Sequence, residues 1–168
     1  MRPFSNLVLI GMPGAGKSTV GVILAKVTLR DFVDTDVLIQ TSQGRTLQEI
    51  VDTDGYLALR KIEEDLLLGL SVRHQVIATG GSAVYSSPAM THLKTDGLII
   101  FLKLGLAKLE ARVSDFSGRG LARRPGQSYA ELFHERAALY TAHADITIEC
   151  AGLTQEAVCA RIIAEAGT

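Results

Sequence analysis

Gly11-Met12-Pro13-Gly14-Ala15-Gly16-Lys17-Ser18, preceded by the apolar run Leu7-Val8-Leu9-Ile10 and followed by Thr19, decides how the chain folds. It reads as strand, glycine loop, helix. Backbone N–H groups can wrap an anion only where φ is free to turn positive and nothing crowds the approach. Glycines at 11, 14 and 16 permit both. A helix opening near Lys17 aims its positive end at the same point. In that setting Lys17 reaches the β- and γ-phosphates of a nucleoside triphosphate, and the Ser18 hydroxyl ligates Mg²⁺.

The rest of the composition bounds what the loop can serve. With 168 residues, 47% of them hydrophobic, and no composition break, the chain is expected to form one domain over 1–168 with a substantial core. A net charge of −1 supplies no global field for nucleic acid or an anionic membrane, so anion binding must be local. No run approaches the roughly 18 apolar residues of a membrane span, and the start is too short and too weakly basic for a signal peptide. A cytoplasmic protein is expected. Cys150 and Cys159 follow no metal or redox spacing and are read as buried thiols.

Outward from the loop, Phe4 to Ile10 is the first strand and Lys17 to about Thr28 the helix it feeds. Asp31 to Asp36 reads as a short buried strand ending in two carboxylates. Gly44 breaks a brief helix, Thr46-Leu47-Gln48-Glu49 opens another with capping-box spacing, and a longer helix runs from Gly55 to about Val72. Gln75 to Ala78, Gly97 to Leu102 and Asp145 to Ile148 are further strands. Helices are expected from Pro88, over Leu106 to Val113, from Ser128 to about Ala142, and from Thr154 to Ala164. The segment 114–127 carries glycine, proline and arginine without periodicity and reads as a loop. Apolar strands alternating with helices predict an α/β fold with a doubly wound, five-stranded parallel sheet covered on both faces. Ligands gather at the carboxyl ends of such strands. That edge collects the glycine loop, Asp34, Asp36 and Gly80-Gly81.

Asp34 and Asp36 stand two apart, so at a strand end both can reach the cleft. One carboxylate suits the metal side and the other an acceptor hydroxyl. No later strand ends in a lone Asp of the Walker-B kind, which leaves Asp34 as the metal-side candidate. Arg60 precedes Glu63 and Glu64 at helical contact spacing, which fits either a solvated ion pair or an arginine fork steadied by a glutamate. Arg136 is more informative. The apolar stripe Tyr129, Leu132, Phe133, Tyr140 assigns position 136 to the inside, and an inward arginine needs an anion or an acid partner. Arg112, Arg119, Arg123 and Arg124 flank or lie in the loop at 114–127; a solvated basic loop is the default reading, and the one taken for Arg123 and Arg124, while a lid whose arginine meets phosphate is the functional one.

Taken in order, Gly-x-x-Gly-x-Gly-Lys-Ser-Thr, Asp34-Thr35-Asp36, Arg60 leading into Ile62-Glu63-Glu64, Gly80-Gly81, Arg119 and Glu135-Arg136-x-x-Leu139-Tyr140 resemble shikimate kinases over nearly the full length. The resemblance implies a P-loop kinase of the nucleoside-monophosphate-kinase type, in three layers with a mobile lid near 114–127. It also implies transfer of the ATP γ-phosphate to the 3-hydroxyl of shikimate. On it, Gly11, Gly14, Ala15, Gly16, Lys17, Ser18, Thr19, Arg112 and Arg119 bind ATP, and Ser18 and Asp34 hold Mg²⁺. Lys17, Asp34 and Arg119 are catalytic. Asp36, Arg60, Gly81 and Arg136 bind shikimate, with the two arginines on its carboxylate. Such a protein is expected to be a monomer acting on a small acid, without nucleic acid or membrane partners.

Two departures from the family pattern bear on the acceptor. Ser82 stands where a third glycine is usual, and Gly120 follows Arg119 where proline is usual, which is expected to loosen the lid. Kinases of the same fold acting on another hydroxy acid such as gluconate, and a silent nucleotide-binding module, are the alternatives. A GTPase is not, since Asn6 is the only asparagine and no Asn-Lys-x-Asp motif can be built.

Overall fold

Leu7, Val8, Leu9 and Ile10 are all fully buried, although alternate residues of a strand point to opposite faces. Both faces of the sheet must therefore be covered, and both neighbours of this strand must be present. A computed structural model describes residues 4–113 and 118–168 and meets both demands. The strands are β1 (Asn6–Ile10), β2 (Asp31–Asp34), β3 (Gln75–Ala78), β4 (Gly97–Lys103) and β5 (Ile146–Glu149). They form one parallel sheet in the order β2-β3-β1-β4-β5, with Leu7 opposite Val76 on one side and Leu98 on the other. The helices are α1 (Lys17–Thr28), α2 (Thr35–Gln43), α3 (Leu47–Asp54), α4 (Tyr56–Gly69), α5 (Ser87–Asp96), α6 (Leu106–Arg112), α7 (Tyr129–His143) and α8 (Gln155–Ala166). α1 packs on α8 and α4 on α5, giving the three-layer α/β architecture of P-loop kinases.

Local chemistry sets the element ends. Thr46 and Ser128 each close a capping box, with Glu49 and Glu131 returning the bond to the cap backbone. α2 ends at Gly44 in the left-handed region, which glycine enters without a Cβ clash. Three expectations need correction. β2 is a half-exposed edge strand rather than a buried one, and it ends at Asp34, two residues early. Asp34 caps α2 by accepting from the Asp36 and Val37 N–H groups, which puts Asp36 in a helical first turn. α4 stops at Gly69, short of Val72.

The main core joins β1, β3 and β4 to α1, α5, α7 and α8. A second, small cluster of Ile39, Ile50, Leu59 and Ala122 fastens α2, α3 and α4 to the segment after Gly118. Of the loop expected at 114–127, residues 114–117 lie outside the described residues, and 118–127 contain no helix or strand. Both cysteines are buried free thiols. Among the described residues no helix is long and apolar enough to cross a membrane.

Candidate active site

β1 delivers the chain into the glycine loop at the middle of the sheet's carboxyl edge. Gly14 and Gly16 adopt φ of 87° and 96°, and a Cβ on Gly14 would stand 2.7 Å from Val113 Cγ2. Glycine is required here by both conformation and space. Lys17 follows, nearly buried, with Nζ donating to the Gly11 and Met12 carbonyls at 2.7 and 3.0 Å. Burial lowers its pKa to about 8, against the pull of Asp36. A nearly dry ammonium behind a glycine loop with positive φ, at the start of a helix, suits a phosphate. Ser18 and Thr19 lie exposed on the first turn of α1, and Arg112 reaches across to the Gly14 carbonyl at 3.3 Å.

Ser18 Oγ donates to Asp34 Oδ2 at 2.6 Å, so the two expected metal-side oxygens are already together. Among the described residues no group of three or more His, Cys, Asp or Glu could hold a metal unaided. Two hard oxygens beside a phosphate seat fit Mg²⁺, which keeps waters and shares phosphate oxygens rather than taking a protein cage.

A cleft of about 400 Å³ runs from this seat past Asp36, Glu63, Gly80, Gly81 and Ser82 to Arg136, with Arg112, Arg119 and Gly120 on its rim. Asp36 is half-buried, and its carboxyl is pushed up by burial against the pull of Lys17. Gly80 and Gly81 form a floor that admits no side chain. A Cβ on Gly81 would be 2.7 Å from Arg136 Nη1 and 2.9 Å from Pro13 Cδ. Arg136 is 1% exposed, as the stripe on α7 predicts. Its Nη2 donates to the Ala122 carbonyl at 3.0 Å and its Nε to Tyr85 Oη at 3.4 Å. No carboxylate of the described residues forms an ion pair with it. Three phenols brace this end: Tyr129 on the Pro13 carbonyl, Tyr140 on the Gly81 carbonyl and Tyr85 on Glu135.

Arg60 is near but differently engaged. It borders an adjoining recess of about 330 Å³, stacked 3.6 Å from the Tyr85 ring centre, with Nη2 3.4 Å from the Ala122 carbonyl. The expected steadying by Glu63 or Glu64 does not occur. Glu64 bonds Lys61 and Ser86, while Glu63 turns inward to accept from the Ser82 hydroxyl. Glu63 is 3% exposed, and burial pushes its carboxyl up to about 7 although the Ser82 bond works against this. Ser82 has φ −94°, so the backbone accepts a side chain where the third glycine is usual. Gly120 does not loosen its segment. It is buried at φ 60°, donates its N–H to Gln48 Oε1 at 2.8 Å, and packs too tightly on Leu47 and Gln48 for any Cβ. Ser82 and Tyr85 escaped the reading of sequence as partners of Glu63 and Arg60, since no periodicity links a loop or a single 3-10 turn to a distant helix.

A sequence profile described as shikimate kinase matches residues 13–166. The chain is 38% identical over 163 residues to a shikimate kinase of Thermodesulfovibrio yellowstonii, covering 95% of this chain and 94% of that one. It is 35% identical over 162 residues to shikimate kinase 2 of an Enterobacter species, covering 94% and 92%. Among solved structures, a shikimate kinase from Acinetobacter baumannii in complex with shikimate superposes with a TM-score of 0.85 at 29% identity, covering 97% and 93%. That of Aquifex aeolicus superposes at 0.80 with 30% identity, covering 96% of each. With the profile running over nearly the whole chain that carries this glycine loop, buried arginine and paired aspartates, the protein belongs to the shikimate kinase family.

Proposed function

We propose that the protein is an ATP-dependent kinase that transfers the γ-phosphoryl group to the 3-hydroxyl of shikimate, the whole chain acting as one kinase domain and as a monomer. The observation that carries the acid acceptor is Arg136: a guanidinium buried in the wall of the cleft, with no carboxylate partner among the described residues, is costly unless an anionic ligand completes it. Family membership and a relative solved with shikimate bound support the same acceptor.

In this reading the N–H groups of Gly14, Gly16, Lys17, Ser18 and Thr19, at and before the first turn of α1, hold the triphosphate, and Arg112 lies beside the nucleotide. Arg136 and Arg60 grip the acid's carboxylate, the Gly81 N–H faces the same molecule, and Asp36 accepts hydrogen bonds from its hydroxyls. Ser18 and Asp34 would hold Mg²⁺, which would supply neutralisation of the phosphate charge.

Phosphoryl transfer of this kind asks for alignment and charge more than covalent help. Lys17 gives the γ-phosphate a fixed positive charge, and the phosphates in turn hold its proton against burial. Arg119, on the rim, adds a second positive charge as the segment around it covers the cleft and excludes water. Asp34 has three donors on its two oxygens and is committed to the metal side. Asp36, desolvated and near the acceptor, takes the hydroxyl proton as the new P–O bond forms. The test is ADP release by purified protein with ATP, Mg²⁺ and shikimate, run beside gluconate. Saturable turnover with shikimate is expected; turnover with gluconate alone, or ATP binding without transfer to either acid, would refute the assignment.

A further inference from the structure

Tyr129, Arg136 and Tyr140 stand at i, i+7 and i+11 on α7, which places them within about 40° of one another around the helix. All three are buried. They reach two different parts of the cleft. Tyr129 Oη donates to the Pro13 carbonyl of the glycine loop at 2.8 Å, and Tyr140 Oη to the Gly81 carbonyl of the floor at 2.6 Å. Arg136 comes between them. Its Nη1 and Pro13 Cδ converge over Gly81, at 2.7 and 2.9 Å from where a Cβ on that glycine would stand.

The other carbonyls of the glycine loop are held differently. Gly11 and Met12 accept from Lys17 Nζ, Met12 also from the Ala15 N–H, and Gly14 from Arg112. Ala15 and Lys17 belong to the loop and its own helix, so their bonds shape the loop without fixing where it stands. Arg112 ties it to α6, which carries none of the acid's ligands. Among the described residues, the Pro13 carbonyl is where the loop is bonded to the helix that carries Arg136. Burial pushes the Tyr129 phenol up to about 12, so it keeps its proton and donates at any working pH.

We propose that α7 sets the separation between phosphoryl donor and acid acceptor, with Tyr129 and Tyr140 as positioning residues for the transfer. Tyr129 fixes the height of the glycine loop, Tyr140 fixes the floor, and both are measured from the helix whose arginine takes the acid's carboxylate. The inference rests on the acid acceptor proposed above. The ring of shikimate fixes the distance from its carboxylate to its 3-hydroxyl. Once the carboxylate sits on Arg136, that hydroxyl meets the γ-phosphorus in line only if the loop stands at the matching height. Neither phenol takes part in the bonds that break and form.

The experiment is a double-mutant cycle on the full chain, with Tyr129→Phe, Tyr140→Phe and the two together. It reads kcat at saturating ATP, Mg²⁺ and shikimate, and the affinities for ADP and for shikimate by calorimetric titration. Each exchange deletes a hydroxyl and keeps the ring, and ADP binding reports that the variant is folded. A misplacement of about 1 Å costs up to about 100-fold in rate, so each single variant is expected to lose about 10- to 100-fold in kcat. In Tyr129→Phe both affinities should stay within about threefold of wild type, since the loop and the acid's ligands keep their own shapes. Alignment can be lost only once, so the double variant is expected to be about as slow as the slower single one. Two independent structural posts, about 16 Å apart along the helix, would instead multiply. A single variant with wild-type kcat overturns the proposal, as does a double variant slowed by the product of the two. So does a Tyr129→Phe whose ADP affinity falls as far as its kcat, and this comparison decides alone if Tyr140→Phe does not fold. Wild type that turns over no shikimate refutes the acceptor reading itself, and this inference with it.

Discussion

Replacing Arg136 by methionine separates binding from structure. Methionine keeps the length and unbranched shape of the side chain while removing its charge and donors. On the stability side the change deletes two hydrogen bonds, to the Ala122 carbonyl and the Tyr85 hydroxyl, each worth about 1 kcal/mol. Against this it removes a charge that is 1% exposed and unpaired with any described carboxylate, whose desolvation costs several kcal/mol. The two nearly cancel, so Arg136→Met is expected to unfold within about 2 kcal/mol of wild type, on either side. Binding has no such compensation. Each hydrogen bond from a guanidinium to a carboxylate contributes about 1.5–3 kcal/mol, so losing two weakens shikimate binding by about 100-fold or more. Denaturant unfolding gives the first quantity, and titration with shikimate and with ATP gives the second. A destabilisation beyond about 3 kcal/mol, or an equal loss of ATP and shikimate affinity, would refute the reasoning and make the arginine a structural post.

Asp34→Asn keeps an oxygen that can cap α2, so stability should hold within about 0.5 kcal/mol, while steady-state assays should show a fall in kcat of about 100-fold or more and a higher Mg²⁺ requirement. Glu63→Gln tests linkage. The folded pKa of Glu63, about 7, lies above the ordinary 4.5, so its protonated form stabilises the fold fully below about pH 4.5 and that stabilisation is lost as pH rises to 7. The variant should therefore flatten the pH dependence of unfolding over that window and be more stable than wild type at pH 8, by up to about 3 kcal/mol from the size of the shift. Gly80→Ala places a methyl 2.7 Å from Asp36 Oδ1 and nearer still to Glu63. Unfolding should show a loss of about 1–3 kcal/mol, with weaker shikimate binding; an unchanged midpoint would mean that the floor of the cleft is softer than its packing implies.

Much of this was legible in the sequence because it is written in local rules. The glycine loop names its own conformation, the capping boxes at Thr46 and Ser128 mark two helix starts, and the stripe on α7 places Arg136 inside. The strand alternation with helices fixed a parallel sheet, and the ends of the strands then located the cleft. What sequence could not supply were pairings set by tertiary contact. Helical spacing offered Glu63 to Arg60, but a loop serine competed for the one and a tyrosine ring for the other. Gly120 read as a source of looseness because glycine is flexible in isolation; buried against Leu47 and Gln48, it is instead what lets two backbones touch. Asp36 reads as the end of the strand carried by Phe32 and Val33, but the cap formed by Asp34 ends that strand first.

The small cluster of Ile39, Ile50, Leu59 and Ala122 divides the molecule unequally. The phosphate seat hangs from the central strand of the sheet, where opening requires breaking the main core. The α2–α3 flank of the cleft is fastened by this cluster, the side chains packed on it and bonds such as Gly120 to Gln48, whereas Arg136 stands on α7 in the main core. Sub-global opening should therefore begin there, exposing the amides of α2 and α3 to exchange while β1 stays protected. For inheritance the same division means that substitutions on α2 and α3 are tested against a weakly held flank, whereas those at Arg136 or Gly81 are tested against the fold. The outer flank of the acid's pocket can drift, while its buried arginine and the phosphate loop cannot.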